Sequence, residues 1–351
     1  MEGLGINMNN FWNNKRVLVT GATGLVGSWL VRALLKKNAY VVVLIRDHDP
    51  QSELIRSKMI HRTTVVNGAL EDLSAVDRAI NEHEVDTVFH LGAQTIVGTA
   101  LRNPLATFES NIRGTYHLLE SCRQHKSLVK RIVVASSDKA YGTSPQLPYT
   151  EDMPLRGEHP YDVSKSCTDL LSLTYYHTYK LPVGIARCGN IYGGGDLNWS
   201  RIIPGTIKNL YQGLPPEIRS NGLFTRDYIY VKDVVDAYLQ LGQNLDKDDI
   251  QGEGFNFGPN RPYNVLELVQ ELQNQMNCQD LKPIILNQAK AEIKDQTLCS
   301  KKAKRLLNWS PQYSLNDGLV ETINWYKSYL DENLERGLEC QQENAAFAEV
   351  R

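Results

Sequence analysis

Apolar residues in this chain cluster in short unbroken runs, set apart by stretches of helical spacing. Residues 15–20, 40–45, 63–66, 87–91, 131–134 and 183–186 are runs of this kind. Because they do not alternate with polar residues, they read as strands covered on both faces. Helical spacing fills much of the space between them, at 29–35, 73–82, 104–124 and 161–179, and returns at 234–241, 264–276 and 315–330. Strand and helix in alternation predict an α/β chain with a doubly wound parallel sheet. The sheet is expected mainly within 11–185. A smaller C-terminal α/β lobe is expected mainly within 186–330, with some segments returning to the sheet. From about 331 the chain turns polar and glutamate-rich, which predicts a frayed or loosely attached tail.

The turn after the first strand sharpens the fold. Gly21-Ala22-Thr23-Gly24-Leu25-Val26-Gly27-Ser28 joins a buried strand to a helix, the context in which spaced glycines mark a dinucleotide site. Gly21 permits the tight turn, Gly24 the close approach of a pyrophosphate, and Gly27 the packing of helix on strand. Thr23, Leu25 and Val26 belong to the same phosphate cradle at the helix amino end. A ligand-free glycine turn is the plainer alternative. The sheet is therefore expected to be of Rossmann type. At the end of the second strand, where adenosine ribose is usually met by an acid, stand Ile45, Arg46 and Asp47. Arg46 suits a 2′-phosphate and so NADP, whereas Asp47 suits the ribose hydroxyls of NAD; Arg46 reads equally as a solvated loop charge. Asp72 and Leu73 are placed near the adenine, with a surface carboxylate as the alternative for Asp72. Leu91, Gly92, Ala93 and Gln94, after the fourth strand, line the cofactor.

Composition removes other classes. The chain has 351 residues, 42% of them hydrophobic, and a formal charge of −2, which leaves no basic footprint for nucleic acid or an anionic membrane. No apolar run reaches membrane-span length, and the first residues show no secretory leader. The six cysteines include no CxxC pair, so neither a metal site nor a disulfide framework is expected, and a cytoplasmic setting fits best.

Two further patterns carry chemistry. Ala135-Ser136-Ser137-Asp138-Lys139-Ala140-Tyr141-Gly142 follows a buried strand at its carboxyl end, where open α/β sheets hold ligands. Tyr161 and Lys165 open the next helix four residues apart and so share a face. A Lys165 ammonium beside Tyr161 would favour the phenolate. Glycine turn, strand-end serine and Tyr-x-x-x-Lys together resemble the short-chain dehydrogenase/reductase superfamily in its extended form, the NAD-dependent nucleotide-sugar epimerases and dehydratases. The resemblance runs from about Phe11 to Tyr329.

That resemblance implies roles. Tyr161 takes the proton from the sugar O4, Lys165 lowers its pKa and holds the nicotinamide ribose, and Ser137 hydrogen-bonds O4. Gln94 faces the substrate as well as the cofactor. Asn190, in Arg187-Cys188-Gly189-Asn190-Ile191-Tyr192-Gly193, lies near the sugar diphosphate. Arg201, Arg219 and Arg226 are candidates for the diphosphate itself, with Arg226 strengthened by the signature Arg226-Asp227-Tyr228-Ile229-Tyr230-Val231-Lys232-Asp233-Val234. Asp233 is expected to cap the helix at 234–241. NAD or NADP would be tightly bound and recycled each turnover. The helices at 104–124 and 161–179 would pair across a homodimer, with packing within one chain as the alternative.

Asp138 and Lys139 separate two activities. A 4-epimerase needs no further acid or base after oxidising C4. A 4,6-dehydratase must also take the C5 proton and protonate the departing C6 hydroxyl. The resemblance implies that Asp138 is this acid and Lys139 this base, since CDP-glucose 4,6-dehydratases have aspartate and lysine after the serine. To act, Lys139 must shed its proton, which positive charge from Lys165 and the nicotinamide would favour. A turn with a surface ion pair is the plain alternative. Phe11-Trp12, Gly27-Ser28-Trp29-Leu30, and Gly189-Asn190 with Gly193-Gly194-Gly195-Asp196 also resemble that subgroup. Ile45-Arg46-Asp47 is instead similar to GDP-mannose 4,6-dehydratases, and Thr225-Arg226-Asp227-Tyr228 to epimerases. CDP-glucose is thus the first-choice substrate, with GDP-mannose and UDP-sugars behind it. A nucleotide-sugar 4-epimerase, a sugar reductase or dehydrogenase and a non-catalytic dinucleotide sensor are the competing readings.

Overall fold

The computed structural model describes residues 11–289 and 292–349, with side chains as far as residue 334. The amino-terminal ten residues, expected to carry no leader, lie outside the described residues. Seven strands form the main sheet: β1 (Arg16–Thr20), β2 (Tyr40–Ile45), β3 (Thr64–Asn67), β4 (Thr87–His90), β5 (Arg131–Ala135), β6 (Val183–Cys188) and, after three strands that lie elsewhere, β10 (Glu253–Phe257). They lie in the order β10-β6-β5-β4-β1-β2-β3 with every pair parallel. Strand order reverses between β1 and β4, the crevice where doubly wound sheets bind ligands.

Side chains along these strands divide between two cores, as a pleat with period two requires. Val17, Val19, Val41, Val43, Phe89 and Val133 enter one. Leu18, Val42, Leu44, Val88, Ile132 and Val134 enter the other. Helices α1 (Leu25–Lys36) and α9 (Val231–Gln243) cover the first face, joined by α11 (Lys301–Leu307); α3 (Leu73–Asn81), α6 (Gly114–Gln124) and α7 (Pro160–Tyr179) cover the second. Burial on both faces explains why the inner strands read as continuous apolar runs; the edge strand β3, expected to be covered likewise, buries only Val66.

A third core lies outside the sheet. It unites α8 (Ile202–Tyr211), α10 (Val265–Met276) and α12 (Leu315–Glu349) with β7 (Asn190–Tyr192), β9 (Thr225–Tyr230) and β11 (Pro262–Asn264). The pair β8 (Glu217–Ile218) and β12 (Ile284–Ile285) lies beside it, and α2 (Glu53–Arg56), α4 (Val97–Arg102) and α5 (Pro104–Phe108) are short connectors.

Three expectations differ from the structure. The apolar stretch at 104–124 is not one helix: a π-helical turn at Glu109–Arg113 separates α5 from α6. Helix α9 begins at Val231, so Asp233 lies inside its first turn; instead of capping that helix, its carboxylate accepts the backbone N–H groups of Gln312, at 2.7 Å, and Tyr313, at 3.2 Å. Past residue 331, where a frayed tail was expected, α12 continues to Glu349. Asp331 takes a hydrogen bond from Tyr211 and Glu332 one from Arg56, anchoring this turn of the helix.

Candidate active site

The glycine turn fits a dinucleotide. Gly21 has φ +68°, and a Cβ there would lie 2.8 Å from the Gly92 amide nitrogen, so the turns after β1 and β4 approach too closely for any side chain. A Cβ on Gly27 would lie 2.1 Å from the Gly21 carbonyl oxygen. Gly24 is exposed, and no side chain caps the α1 amino end. The first N–H groups of α1 thus stay available to a phosphate. Thr23, Leu25 and Val26 are half-buried around this opening. Across from them Thr20 Oγ1 accepts the Leu91 and Gly92 amides at 3.1 and 3.0 Å, fixing the chain that continues through Ala93 to Gln94.

At the adenosine end, Arg46 and Asp47 pair with each other at 2.6 Å and are both exposed. Asp72 caps α3, accepting from the Ser74 amide at 2.9 Å and the Ala75 amide at 3.4 Å. These bonds, the Ser74 hydroxyl first, hold its carboxyl below the usual range. Leu73 is exposed beside it.

The candidate reaction centre lies where β5 ends. Ser137 caps the 3-10 turn Asp138–Tyr141, accepting from the Lys139 amide at 3.2 Å and donating to Asp138 Oδ1 at 3.0 Å. Burial raises the Tyr161 phenol to about 12, opposed first by the Arg201 charge and then by Ser137. Lys165, one turn along α7, donates to the Ala135 carbonyl at 2.7 Å, and burial lowers its pKa to about 8. The sequence expectation made Lys165 the charge that favours the phenolate; in the structure, the leading charge acting that way is Arg201. Asp138 is 2% exposed, and burial raises its pKa against the pull of Lys139. The half-buried Lys139 donates to Gln296 Oε1 at 3.3 Å.

The three arginines part company. Arg201 bonds Asp196 at 2.9 Å and Thr95 Oγ1 at 3.4 Å, and its charge acts on Tyr161. Exposed Arg219 pairs with Glu292 at 3.1 Å. Arg226 is buried and donates to the carbonyls of Thr225, Lys294 and Ile293 at 2.8, 2.6 and 2.5 Å, so it pins the strand-like segment before α11. Asn190 is half-buried in β7, paired in register with Tyr228.

Several site residues escaped the sequence reading. Asn111, 1% exposed in the π-helical turn, accepts from the Gln94 amide at 2.7 Å and donates to the Gln94 carbonyl at 3.0 Å and Ser164 Oγ at 2.9 Å. It therefore ties the end of β4 to the turn of α7 that carries Tyr161. Beneath the centre, Asp169 accepts from Arg187 Nη2 at 2.7 Å and from Ser136, while Arg187 Nη1 donates to the Tyr141 hydroxyl at 2.8 Å. Asp162 and Asp227 are buried carboxyls that burial pushes up, Asp227 to about 6.

A strand-end serine, a buried tyrosine and lysine one helical turn apart, and a buried acid beside an amine make an arrangement able to move protons at adjacent carbons. Comparison with known proteins agrees with this chemistry. The family described as "GDP-mannose 4,6 dehydratase" matches residues 18–322. The CDP-glucose 4,6-dehydratase of Salmonella typhimurium is 29% identical over 337 residues, covering 92% of this chain and 93% of that protein. The dTDP-glucose 4,6-dehydratase of Streptomyces venezuelae, solved with NAD bound, is 27% identical and superimposes with a TM-score of 0.81 over 89% of this chain and 97% of its own. The UDP-glucose 4-epimerase of Thermotoga maritima, solved with UDP-glucose, is 27% identical, with a TM-score of 0.82 over 90% of this chain and 99% of its own.

Proposed function

The chain belongs to the GDP-mannose 4,6 dehydratase family, and from that membership and its site we propose a nucleotide-sugar 4,6-dehydratase with CDP-glucose as the first-choice substrate. The cofactor is NAD or NADP, held by the Gly21–Gly27 turn and the Leu91–Gln94 segment. Bound there, it would supply a two-electron acceptor for C4 and a two-electron donor for C6. The chain's own groups move the protons. Ser137 orients O4 and Tyr161 takes its proton. Once C4 is a ketone the C5 proton is acidic, and Lys139 removes it. Asp138, whose protonated form burial favours, gives its proton to the C6 oxygen as that bond breaks and water leaves. Lys139 then reprotonates C5.

The observation that carries this reading is the Asp138–Lys139 pair directly after Ser137, with Asp138 2% exposed instead of solvated as a surface pair would be. A second reading, a 4-epimerase, draws support from Tyr228 after Arg226-Asp227 and from the likeness to the Thermotoga enzyme. Mass analysis of products from a panel of CDP-, dTDP-, UDP- and GDP-hexoses separates the two: loss of one water is expected, and an isomer of unchanged mass would overturn the dehydratase. Lys139→Ala should abolish water loss while leaving reduced cofactor detectable; normal turnover would remove Lys139 as the base.

The same proposal includes a homodimer. Leu101, Leu105 and Leu170 are exposed on α4, α5 and α7, an apolar surface for a second copy to cover. Light scattering at twice the chain mass is expected.

A further inference from the structure

The 3-10 turn that begins with Asp138 and Lys139 ends on Tyr141, whose side chain is buried. The Tyr141 hydroxyl accepts from Arg187 Nη1 at 2.8 Å and donates to Asn256 Oδ1, in β10, at 2.7 Å. Both partners are fixed in turn. Arg187 forks onto Asp169 Oδ1, at 3.0 Å from Nε and 2.7 Å from Nη2, and Asn256 Nδ2 donates to the Tyr149 carbonyl at 3.0 Å. The ring itself stacks on Tyr149 with centroids 4.9 Å apart. Burial pushes the phenol up to about 12, against the Arg187 charge, so near neutral pH it keeps the proton it donates.

This clamp moves no proton in the reaction above. The Arg187–Asp169 pair is 4% and 0% exposed, and buried ion pairs add little net stability over an apolar core. What the pair supplies is direction. Asp169 takes the Ser136 hydroxyl just before the turn, while Arg187 takes Tyr141 at its end. Ser166 Oγ and the Arg156 amide tether the Ala140 carbonyl, at 2.9 and 3.0 Å, and Tyr141 resists roll of the turn about that tether. Residues three apart in a 3-10 turn lie on one side, so holding Tyr141 sets the aim of Asp138. Lys139 turns with them.

We propose that Tyr141 is a positioning residue for elimination: its hydroxyl, clamped between Arg187 and Asn256, aims Asp138 and Lys139 at neighbouring carbons of the sugar. The inference rests on the dehydratase reading above and adds to it a residue that acts only through the turn. C4 oxidation uses Ser137 and Tyr161, which the Ser136–Asp169 bond and α7 hold without that hydroxyl. Elimination needs an acid and a base aligned together, and a misplacement of about 1 Å costs as much as about 10²-fold.

Rapid mixing of the protein, loaded with NAD or NADP, with CDP-glucose separates the two steps. Absorbance of the reduced cofactor follows C4 oxidation, and mass analysis of quenched samples follows water loss. In Tyr141→Phe, which keeps the stacked ring, water loss should slow about tenfold or more relative to C4 oxidation, with reduced cofactor accumulating. Asn256→Leu removes the other side of the clamp and should shift the same ratio. Thermal unfolding shows which variant retains the fold, and either suffices. The ratio of two steps within one population does not depend on how much of it is folded. A purely structural role therefore leaves the ratio at its wild-type value, and that result overturns the role of Tyr141 while the dehydratase reading stands. A parent that yields an isomer of unchanged mass, or transforms none of the CDP-, dTDP-, UDP- and GDP-hexoses, overturns both.

Discussion

In the proposed reaction Tyr161 acts as a base, yet burial raises its phenol to about 12. A group with that pKa is ionised only about once in 10⁵ at neutral pH. Arg201 is the foremost charge working against burial, and its side chain, 38% exposed and shared with Asp196, acts through partial solvent screening. Arg201→Gln should therefore lower C4 oxidation at pH 7 by up to about tenfold and move the acid limb of the rate profile upward by as much as one unit. A simple loss of substrate affinity with an unmoved limb would remove Arg201 from this role. The residues that sequence made legible here, Ser137, Tyr161 and Lys165, owe that to local order: a strand end and a four-residue helical spacing. Gln296 had no such mark. It meets Lys139 across 157 positions of sequence, and one glutamine in a polar stretch carries no periodic signal.

Among the elements, those whose pattern is simple were legible, and those altered by one residue were not. Unbroken apolar runs gave the strands because both faces of the sheet are covered. The π-helical turn at Glu109–Arg113 left the apolar spacing of 104–124 nearly unchanged, so Asn111 stayed hidden although it holds both Gln94 and Ser164. The glycine turn is the strictest element. Gly27→Ala would put a methyl group 2.1 Å from the Gly21 carbonyl oxygen, and relieving that overlap pushes α1 off the turn that cradles phosphate. A cost of about 1–3 kcal/mol is expected, with NAD(H) affinity down at least about tenfold, measured by fluorescence titration beside thermal unfolding. Wild-type affinity in a folded Gly27→Ala protein would mean that α1 does not present the phosphate site.

At the scale of the whole molecule, two sets of contacts bind the parts together. Helix α12 reaches back to the sheet domain, where Trp325 Nε1 donates to Glu53 at 3.2 Å and the Tyr329 hydroxyl to Gln51 at 3.2 Å. In the sheet itself, His90 at the end of β4 joins Thr20 of β1, at 3.0 Å, to Thr115 of α6, at 3.1 Å. Burial, with a smaller push from the Lys165 charge, lowers the His90 pKa from 6.5 to about 3. The unfolded chain takes up this proton below about 6.5, whereas the native state does not until about 3. The stability due to neutral His90 is therefore complete above 6.5 and falls with pH between those limits, by about 1.4 kcal/mol per unit. Asp227 titrates the other way, since its raised pKa favours the native state as pH falls from about 6 toward 3.8, so the wild-type curve alone mixes opposing slopes. Subtraction isolates the histidine. Between pH 6 and pH 4.5, urea unfolding of wild type should lose about 2 kcal/mol more than His90→Gln, a variant that keeps an amide between the two threonines. Parallel curves for the two proteins would mean that His90 carries its proton inside the folded sheet.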